Sequence, residues 1–376
     1  SGRATSSSPP PVTTVMTASP TDRGADPASA VGPRPPTSIA VINYNGRDQL
    51  PSTLEAIDEL RDRRTEVMLV DDESDDGSPE WVARHCPFVR VVRMGRHLGR
   101  PAPLRNRALR EAEHRYVLLL DNDVVLRSGC LERLLSVLRS CRDALCCTPR
   151  LVYRSDPDRI YQDGGGLHYL AVSTSLARGE RHSERPPGPP RPAVGCGNML
   201  VDRAVVRETG GFDEGYAFGW GEDGELHARG RLYGYRVLHV PDAVCEHEAS
   251  RHGTRRALAQ LYNRYRLMAT IYADRTLLLL APALFAFEVG VTLVATYRGF
   301  LGDRMRAVRR AAADLPEFLA RRSEIQDRRV VPDSEILSGD RLMRPETLES
   351  GLLMSRVVAV VSMVSRLYWR CVRRWL

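Results

Sequence analysis

Several signatures are missing from this 376-residue chain, and each absence removes a class of protein. Its eight cysteines fall at 86, 130, 141, 146, 147, 196, 245 and 371, with no paired Cys-x-x-Cys framework. They are too sparse for a small secreted disulfide scaffold, so reduced thiols in a cytosolic compartment are expected. There is no C₂H₂ spacing, no basic helix with heptads and no aromatic-rich RNA-binding strand, so nucleic acid is not an expected partner. Residues 1–36 contain no apolar run of signal-peptide length. That stretch is almost entirely Ser, Thr, Pro, Ala and Gly with scattered charges, which buries too little apolar area to offset ordering entropy. It reads as a disordered N-terminal arm.

What remains is ordinary for a globular protein: 43% hydrophobic and 27% charged residues. The length suits one large α/β domain with a helical appendage, or two domains. The formal net charge of +7 is uneven, because carboxylates crowd the first two thirds and arginines the last. That asymmetry predicts a basic surface facing phosphates, of anionic lipid or of a charged substrate.

From Ser38 the pattern alternates. Apolar runs Ile39–Ile42, Val67–Val70, Val89–Val92 and Tyr116–Leu120 are separated by helix-compatible stretches Arg47–Leu60, Ser78–His85 and Leu104–Glu113. This predicts a doubly wound, mainly parallel sheet flanked by helices, with ligands at the carboxyl ends of the strands. Asn198–Val201, Arg203–Glu208, Glu222–Arg231 and Arg236–Val240 form the second half of the same domain, which is expected over residues 37–250. Between the halves, Arg178–Pro192 is rich in Arg, Pro and Gly; it reads as a loop that cannot pack, either a lid near the substrate or a solvated insertion.

Residues 251–376 have a different character. Leu277–Tyr297 is long enough to cross a bilayer, yet contains Pro282 and Glu288 and is followed by Arg298, Arg304, Arg306, Arg309 and Arg310. Leu352–Leu376 mixes apolar residues with Arg356, Arg366, Arg370, Arg373 and Arg374 and with Trp369 and Trp375. Both are expected to associate with a membrane, the first either spanning it or lying in the interface and the second as an interfacial helix in the headgroup plane; the alternative is amphipathic helices packed on the domain or on another subunit.

Three acidic clusters follow strands: Asp71-Asp72-Glu73-Ser74-Asp75-Asp76, Asp121-Asn122-Asp123 and Glu222-Asp223. Bare carboxylates at a strand end repel one another unless a cation is bound. Side chains two apart at a strand mouth point the same way, so Asp121 and Asp123 can address one ion or one ion and a ribose, and oxygen ligands favour Mg²⁺ or Mn²⁺.

In order, Val41-Ile42-Asn43-Tyr44-Asn45-Gly46, Val70-Asp71-Asp72, Arg105-Asn106 and Leu120-Asp121-Asn122-Asp123 resemble the nucleotide-binding half of family 2 glycosyltransferases of the GT-A fold, rhamnosyltransferase-like members among them. Gly210-Gly211-Phe212-Asp213-Glu214, Glu222-Asp223, Gly234-Tyr235-Arg236-Val237 and Val240-Pro241-Asp242-Ala243, ending at His247, resemble the acceptor half. The resemblance implies a nucleotide-sugar donor, with Asn45, Asp72, Asp121 and Arg105 on the donor side. Asp72 is similar to the residue that pairs with the base, and Asp123 to the principal metal ligand, with Asp121 its companion. His247 is similar to a further metal ligand, a role that Glu246 or Glu248 can also fill. Asp223 is similar to the catalytic base, with Glu222 as the alternative. Trp220 offers an aromatic face for a sugar ring, and Gly195-Cys196-Gly197-Asn198 a small-residue turn.

Displacement at the anomeric carbon needs a base for the acceptor hydroxyl and a Lewis acid for the departing diphosphate. A single acceptor-side carboxylate with no nucleophile partner implies one displacement and hence inversion. Two departures qualify the resemblance. Leu98-Gly99-Arg100 replaces the common Asn-x-Gly, and Gln260 to Arg264 is one residue longer than the motif of processive synthases, which argues against polymerisation. The expected acceptor is a glycan or a lipid-linked molecule, and the expected location the cytoplasmic face of the membrane. A nucleotidyltransferase would need a Gly-rich basic loop that Asn43–Arg47 fits poorly, and a non-catalytic sugar-binding protein would not need Asp72, Asp121, Asp123 and Asp223 together.

Overall fold

A computed structural model describes residues 34–217, 221–248, 254–339 and 352–376. The first half runs β1 (Thr37–Asn43), α1 (Leu50–Leu60), β2 (Thr65–Asp71), α2 (Ser78–His85), β3 (Val89–Arg93), α3 (Pro101–Glu111) and β4 (Tyr116–Asp121). These four strands are parallel, in the order β4-β1-β2-β3. Their near-continuous apolar sequence follows from burial on both faces. Ile39, Val41 and Leu69 pack with Leu54, Val82 and Leu131 on one side. Ala40, Met68 and Val70 pack with Leu104, Ala108 and Leu226 on the other.

The second half contributes β5 (Val124–Leu126), α4 (Cys130–Ser140), β6 (Ala144–Tyr153), β7 (Ile160–Gln162), β8 (Gly165–His168), β9 (Val172–Ser175), β10 (Arg191–Pro192), β11 (Met199–Asp202), α5 (Arg203–Glu208), α6 (Glu222–Leu232) and β12 (Arg236–His247). Here the sheet becomes mixed. β11 runs antiparallel to both β4 and β6, while β12 is parallel to β6. The cause is the turn at Asn198, whose Oδ1 accepts from Asp121 N at 2.8 Å and starts β11 at the mouth of β4, so that it must run back along it.

Three sequence expectations shift. Helix α1 begins at Leu50 because residues 45–49 form a turn at the strand mouth, with Arg47 N bonded to Asp76 at 2.8 Å. Helix α3 begins at Pro101, prolines being preorganised for a first turn. The Arg178–Pro192 segment has no buried residue, as a solvated insertion would, yet it is anchored: Arg185 and Arg191 each reach the buried Asp163 at 2.8 Å, and Arg191–Pro192 pairs with β12. Of the expected N-terminal arm, residues 1–33 lie outside the described residues. Arg34 is held by Leu60 O at 2.8 Å and Glu132 at 3.0 Å.

The C-terminal region comprises α7 (Thr254–Ile271), α8 (Asp274–Tyr297), α9 (Leu301–Ala313), α10 (Leu315–Asp327), β13 (Leu337–Ser338) and α11 (Leu352–Val372). β13 pairs with β8 to complete a small sheet, β13-β8-β9, that fastens these helices to the α/β domain.

Candidate active site

The carboxyl ends of β1, β2 and β4 open onto one edge, and the acidic clusters gather there. At its centre is Arg105, on the first half of α3 and 3% exposed. One Nη donates to Asp121 at 2.9 Å and the other to Glu222. A Cβ on Gly197 would collide with this guanidinium, so the small-residue turn at 195–198 makes room for Arg105. Next to it, the Asn106 amide clamps the acceptor-side turn, donating to Phe212 O at 2.9 Å and accepting from Phe212 N at 2.9 Å. One dipeptide thus fastens the two halves together.

Glu222 and Asp223 open α6, where the helix dipole favours negative charge. Glu222 is buried; desolvation pushes its carboxyl up, against the opposing pull of Arg105. Asp223 Oδ1 accepts from Gly224 N at 2.8 Å. Behind them lie Cys196, whose thiol burial pushes up to about 12 with Asp223 adding to the effect, and His227, which burial lowers to about 4 and whose Nδ1 accepts from Gly195 N.

On the other side of β4, His247 Nε2 stands 3.5 Å from Asp123 Oδ2. Antiparallel pairing of β5 with the end of β12 sets His247 opposite Val124, which brings these side chains together. Tyr161 packs on the His247 ring with centroids 4.4 Å apart, and the Arg178 guanidinium lies 4.4 Å over Tyr161.

At the end of β2, Asp72 accepts from Leu98 N and Gly99 N, both at 2.8 Å, with His97 Nδ1 at 2.9 Å. The segment that departs from the common Asn-x-Gly is therefore the one Asp72 holds. His97 stacks on the exposed Tyr44 at 4.2 Å. Asn45, at φ +50, accepts from Asp75 N at 3.0 Å and closes the turn after β1.

Residues 38–210 match the model of Glycosyl transferase family 2. The chain carries a glycosyl transferase family 2 domain. It is 29% identical over 237 residues to the pre-mycofactocin glycosyltransferase of Mycobacterium tuberculosis, an alignment covering 59% of this chain and 46% of that protein. It is 25% identical over 266 residues to the N-acetylglucosaminyl-diphospho-decaprenol L-rhamnosyltransferase of the same organism, covering 63% and 84%. The chain thus spans less than half of the first relative's length. Its fold is that of the crystal structure of GalNAc-T7 with UDP, GalNAc and Mn²⁺, at a TM-score of 0.54 and 18% identity over 64% of this chain and 48% of that one. The architecture is GT-A.

Within this family 2 domain and the elements after it, the structure groups Arg105, Asp121, Glu222 and Asp223, and separately Asp123 with His247. Asp121, expected to join Asp123 on one ion or to face a ribose, contacts Arg105 and Asn198, where it supplies counter-charge to a buried guanidinium. Asp72 and Asn45 sit at the neighbouring corner, engaged with backbone. Trp220 lies outside the described residues. Tyr161 and Asp163 stand in no motif of the sequence, whereas Tyr44 lies within the first motif and Arg178 opens the 178–192 segment.

Proposed function

We propose that this chain is an inverting glycosyltransferase that moves one sugar per acceptor from a nucleotide-sugar donor, with a divalent cation, to a glycan or lipid-linked acceptor at the cytoplasmic face of a membrane. The observation that carries the reading is Arg105, which joins Asp121 of the donor half to Glu222 of the acceptor half and so fixes Asp223 beside the junction. The family 2 domain supports sugar transfer, and the acceptor named for the rhamnosyltransferase relative supports a lipid-linked diphosphate.

Asp123 and His247 fit a divalent cation. They offer a carboxylate and an imidazole nitrogen side by side, and among the described residues no group of three such side chains could hold an ion alone. Two protein ligands suit a hard cation such as Mg²⁺ or Mn²⁺ that shares its remaining positions with substrate phosphates. When bound, it supplies a Lewis acid for the departing diphosphate. Asp223 takes the proton of the acceptor hydroxyl as that oxygen bonds to the anomeric carbon and the bond to the diphosphate oxygen breaks. Glu222 is committed to Arg105, so the base role falls to its neighbour.

The test is Asp223→Asn. Nucleotide-sugar binding is expected to survive while transfer falls by roughly 10² to 10⁴. Near wild-type transfer in that variant beside a dead Glu222→Gln enzyme would make Glu222 the base. A product with retained anomeric configuration would overturn single displacement, and full activity after exhaustive chelation would remove the cation.

A further inference from the structure

Helices α8 and α11 are apolar on their open faces as well as on the faces that pack against the protein. On α8, Thr276, Leu280 and Ala295 are buried, and the polar residues Glu288 and Thr292 are bonded to the protein. Glu288 pairs with Arg264 of α7 and with Arg304 of α9 at 2.6 Å and accepts from Tyr265 Oη at 2.7 Å, while Thr292 accepts from Arg304 Nε at 2.8 Å. The opposite stripe is apolar and open: Leu278, Phe285, Leu293 and Tyr297 are 76%, 71%, 66% and 87% exposed. On α11 the inward residues are Ser362, Ser365 and Trp369. Ser365 Oγ donates to Tyr169 Oη at 2.8 Å, and Trp369 stacks on Tyr169 at 5.4 Å with the rings 4° from parallel. Its outward residues are Val360, Val361, Val364 and Leu367, all about half exposed. The two helices are neighbours, with Tyr368 Oη donating to Leu279 O at 2.5 Å, so their outer stripes adjoin.

A water-facing helix carries polar residues on its open face. Two adjacent helices whose open faces are aliphatic, with Glu288, Thr292 and Ser365 bonded on the protein side, fit hydrocarbon. The charges select which apolar partner. Arg298 follows α8, and exposed Arg366, Arg370, Arg373 and Arg374 border the α11 stripe beside the exposed Trp375. Such a rim attracts anionic headgroups and repels a second copy of itself.

Length and composition would let α8 cross a bilayer. Its contacts do not. The inner face is fastened through Glu288, near mid-helix, to α9, which carries exposed Arg306, Arg309 and Arg310. Surrounding α8 with lipid would drag those arginines toward the bilayer centre, where an ionised side chain is costly.

We propose that the outer faces of α8 and α11 form one monotopic surface that lies in the headgroup–acyl boundary of an anionic bilayer, with α8 parallel to the membrane plane. This rests on the membrane acceptor of the proposed function and names the surface that meets it.

The experiment uses the full chain and vesicles of phosphatidylcholine with or without phosphatidylglycerol. Co-flotation with the anionic vesicles is expected, with about tenfold loss for Leu278→Asp, Leu293→Asp or Val364→Asp and none for Leu176→Asp, an exposed apolar residue elsewhere. Orientation is read with Cys371→Ser protein carrying Arg275→Cys or Arg298→Cys at the two ends of α8. An impermeant maleimide outside the vesicles should label both; protection of either end means a crossing helix and overturns the proposal. Wild-type protein that stays soluble with both vesicles overturns it too, and if it then elutes as a dimer that Leu278→Asp converts to monomer, the surface belongs to a second copy. Donor hydrolysis without vesicles is measured in parallel and is expected unchanged in the surface variants. Flotation with no hydrolysis in any variant would sink the transferase reading and leave the surface standing.

Discussion

Arg105 and Asp163 solve one electrostatic problem with opposite signs. Arg105 is a buried cation held between Asp121 and Glu222. Asp163 is a fully buried anion reached by Arg150, Arg185 and Arg191 at 2.8 Å each and by His239 at 2.9 Å. The first group has an excess of carboxylate and lies where the donor and acceptor halves meet. The second has an excess of guanidinium and fastens the 178–192 segment onto β6, β7 and β12. Neither gains much stability over apolar packing, since desolvation offsets most of the attraction. What each fixes is geometry: one the position of the reacting carboxylates, the other the path of a loop.

The largest effect is expected from breaking the first group. Arg105→Ala leaves Glu222 buried without its partner, and removing one side of a buried pair costs about 3–5 kcal/mol. Urea unfolding measures this directly. Arg105→Lys should be intermediate, because an ammonium cannot fork to two carboxylates. The chain offers no precedent for that exchange, since all 54 of its basic residues are arginine. A Lys variant as stable and active as wild type would show that charge alone suffices and that the bridging of the two halves is incidental.

Asp163→Asn is the matching change in the second group, and a smaller loss of about 2–3 kcal/mol is expected. Arg150 is buried and stays uncompensated, but Arg185 and Arg191 are partly exposed and can rehydrate. The separating measurement is limited proteolysis with an arginine-specific protease. Cleavage within 178–192 should accelerate in Asp163→Asn and not in Arg105→Lys. Equal protection in both variants would mean that Asp163 does not hold the segment.

The two groups also differ in how far the sequence discloses them. Asp121, Glu222 and Arg105 follow apolar runs or stand on a helix at spacings that announce them, because strand ends in such sheets are where ligands bind. Asp163 follows a three-residue strand, and its partners at 150, 185, 191 and 239 come from four separate places, so only the folded register brings them together. The same limit explains the turning of Asp121 toward Arg105: residue spacing orients a side chain but does not say which counter-charge it will meet. For α8 and α11 the apolar stretches were plain, yet which stripe faces the domain was not. Ser365 stands among the apolar residues of α11 with nothing in the sequence to point to its partners, Tyr169 and His168.

The smallest expected effect is a difference in response to acid. In the second group, burial lowers both His239 and His182, the latter with Arg150 adding to the shift. A histidine whose folded pKa lies below its unfolded value of about 6.5 takes up its proton on unfolding, so its contribution to stability falls as pH drops below about 6.5. Asp163 acts in the same sense at lower pH: held below the usual carboxylate range against the pull of burial, chiefly by His239 and Arg150, it contributes stability that is lost as pH falls below about 4. Glu222 has the opposite sign. Its carboxyl is raised by burial, so the folded state holds its proton more tightly, and stability falls as pH rises above about 4.5. Lowering the pH from 7 to 5 should therefore weaken the hold on residues 178–192 while slightly strengthening the first turn of α6. Amide hydrogen exchange at the two pH values, corrected for intrinsic rates, reads both regions in one experiment. Protection that falls at Arg185 and holds or rises at Gly224 and Glu225 fits the contrast. A parallel decline at both would mean that the ionisation of Glu222 is governed by Arg105 and not by burial, and the two groups would then differ in sign of charge but not in sign of response.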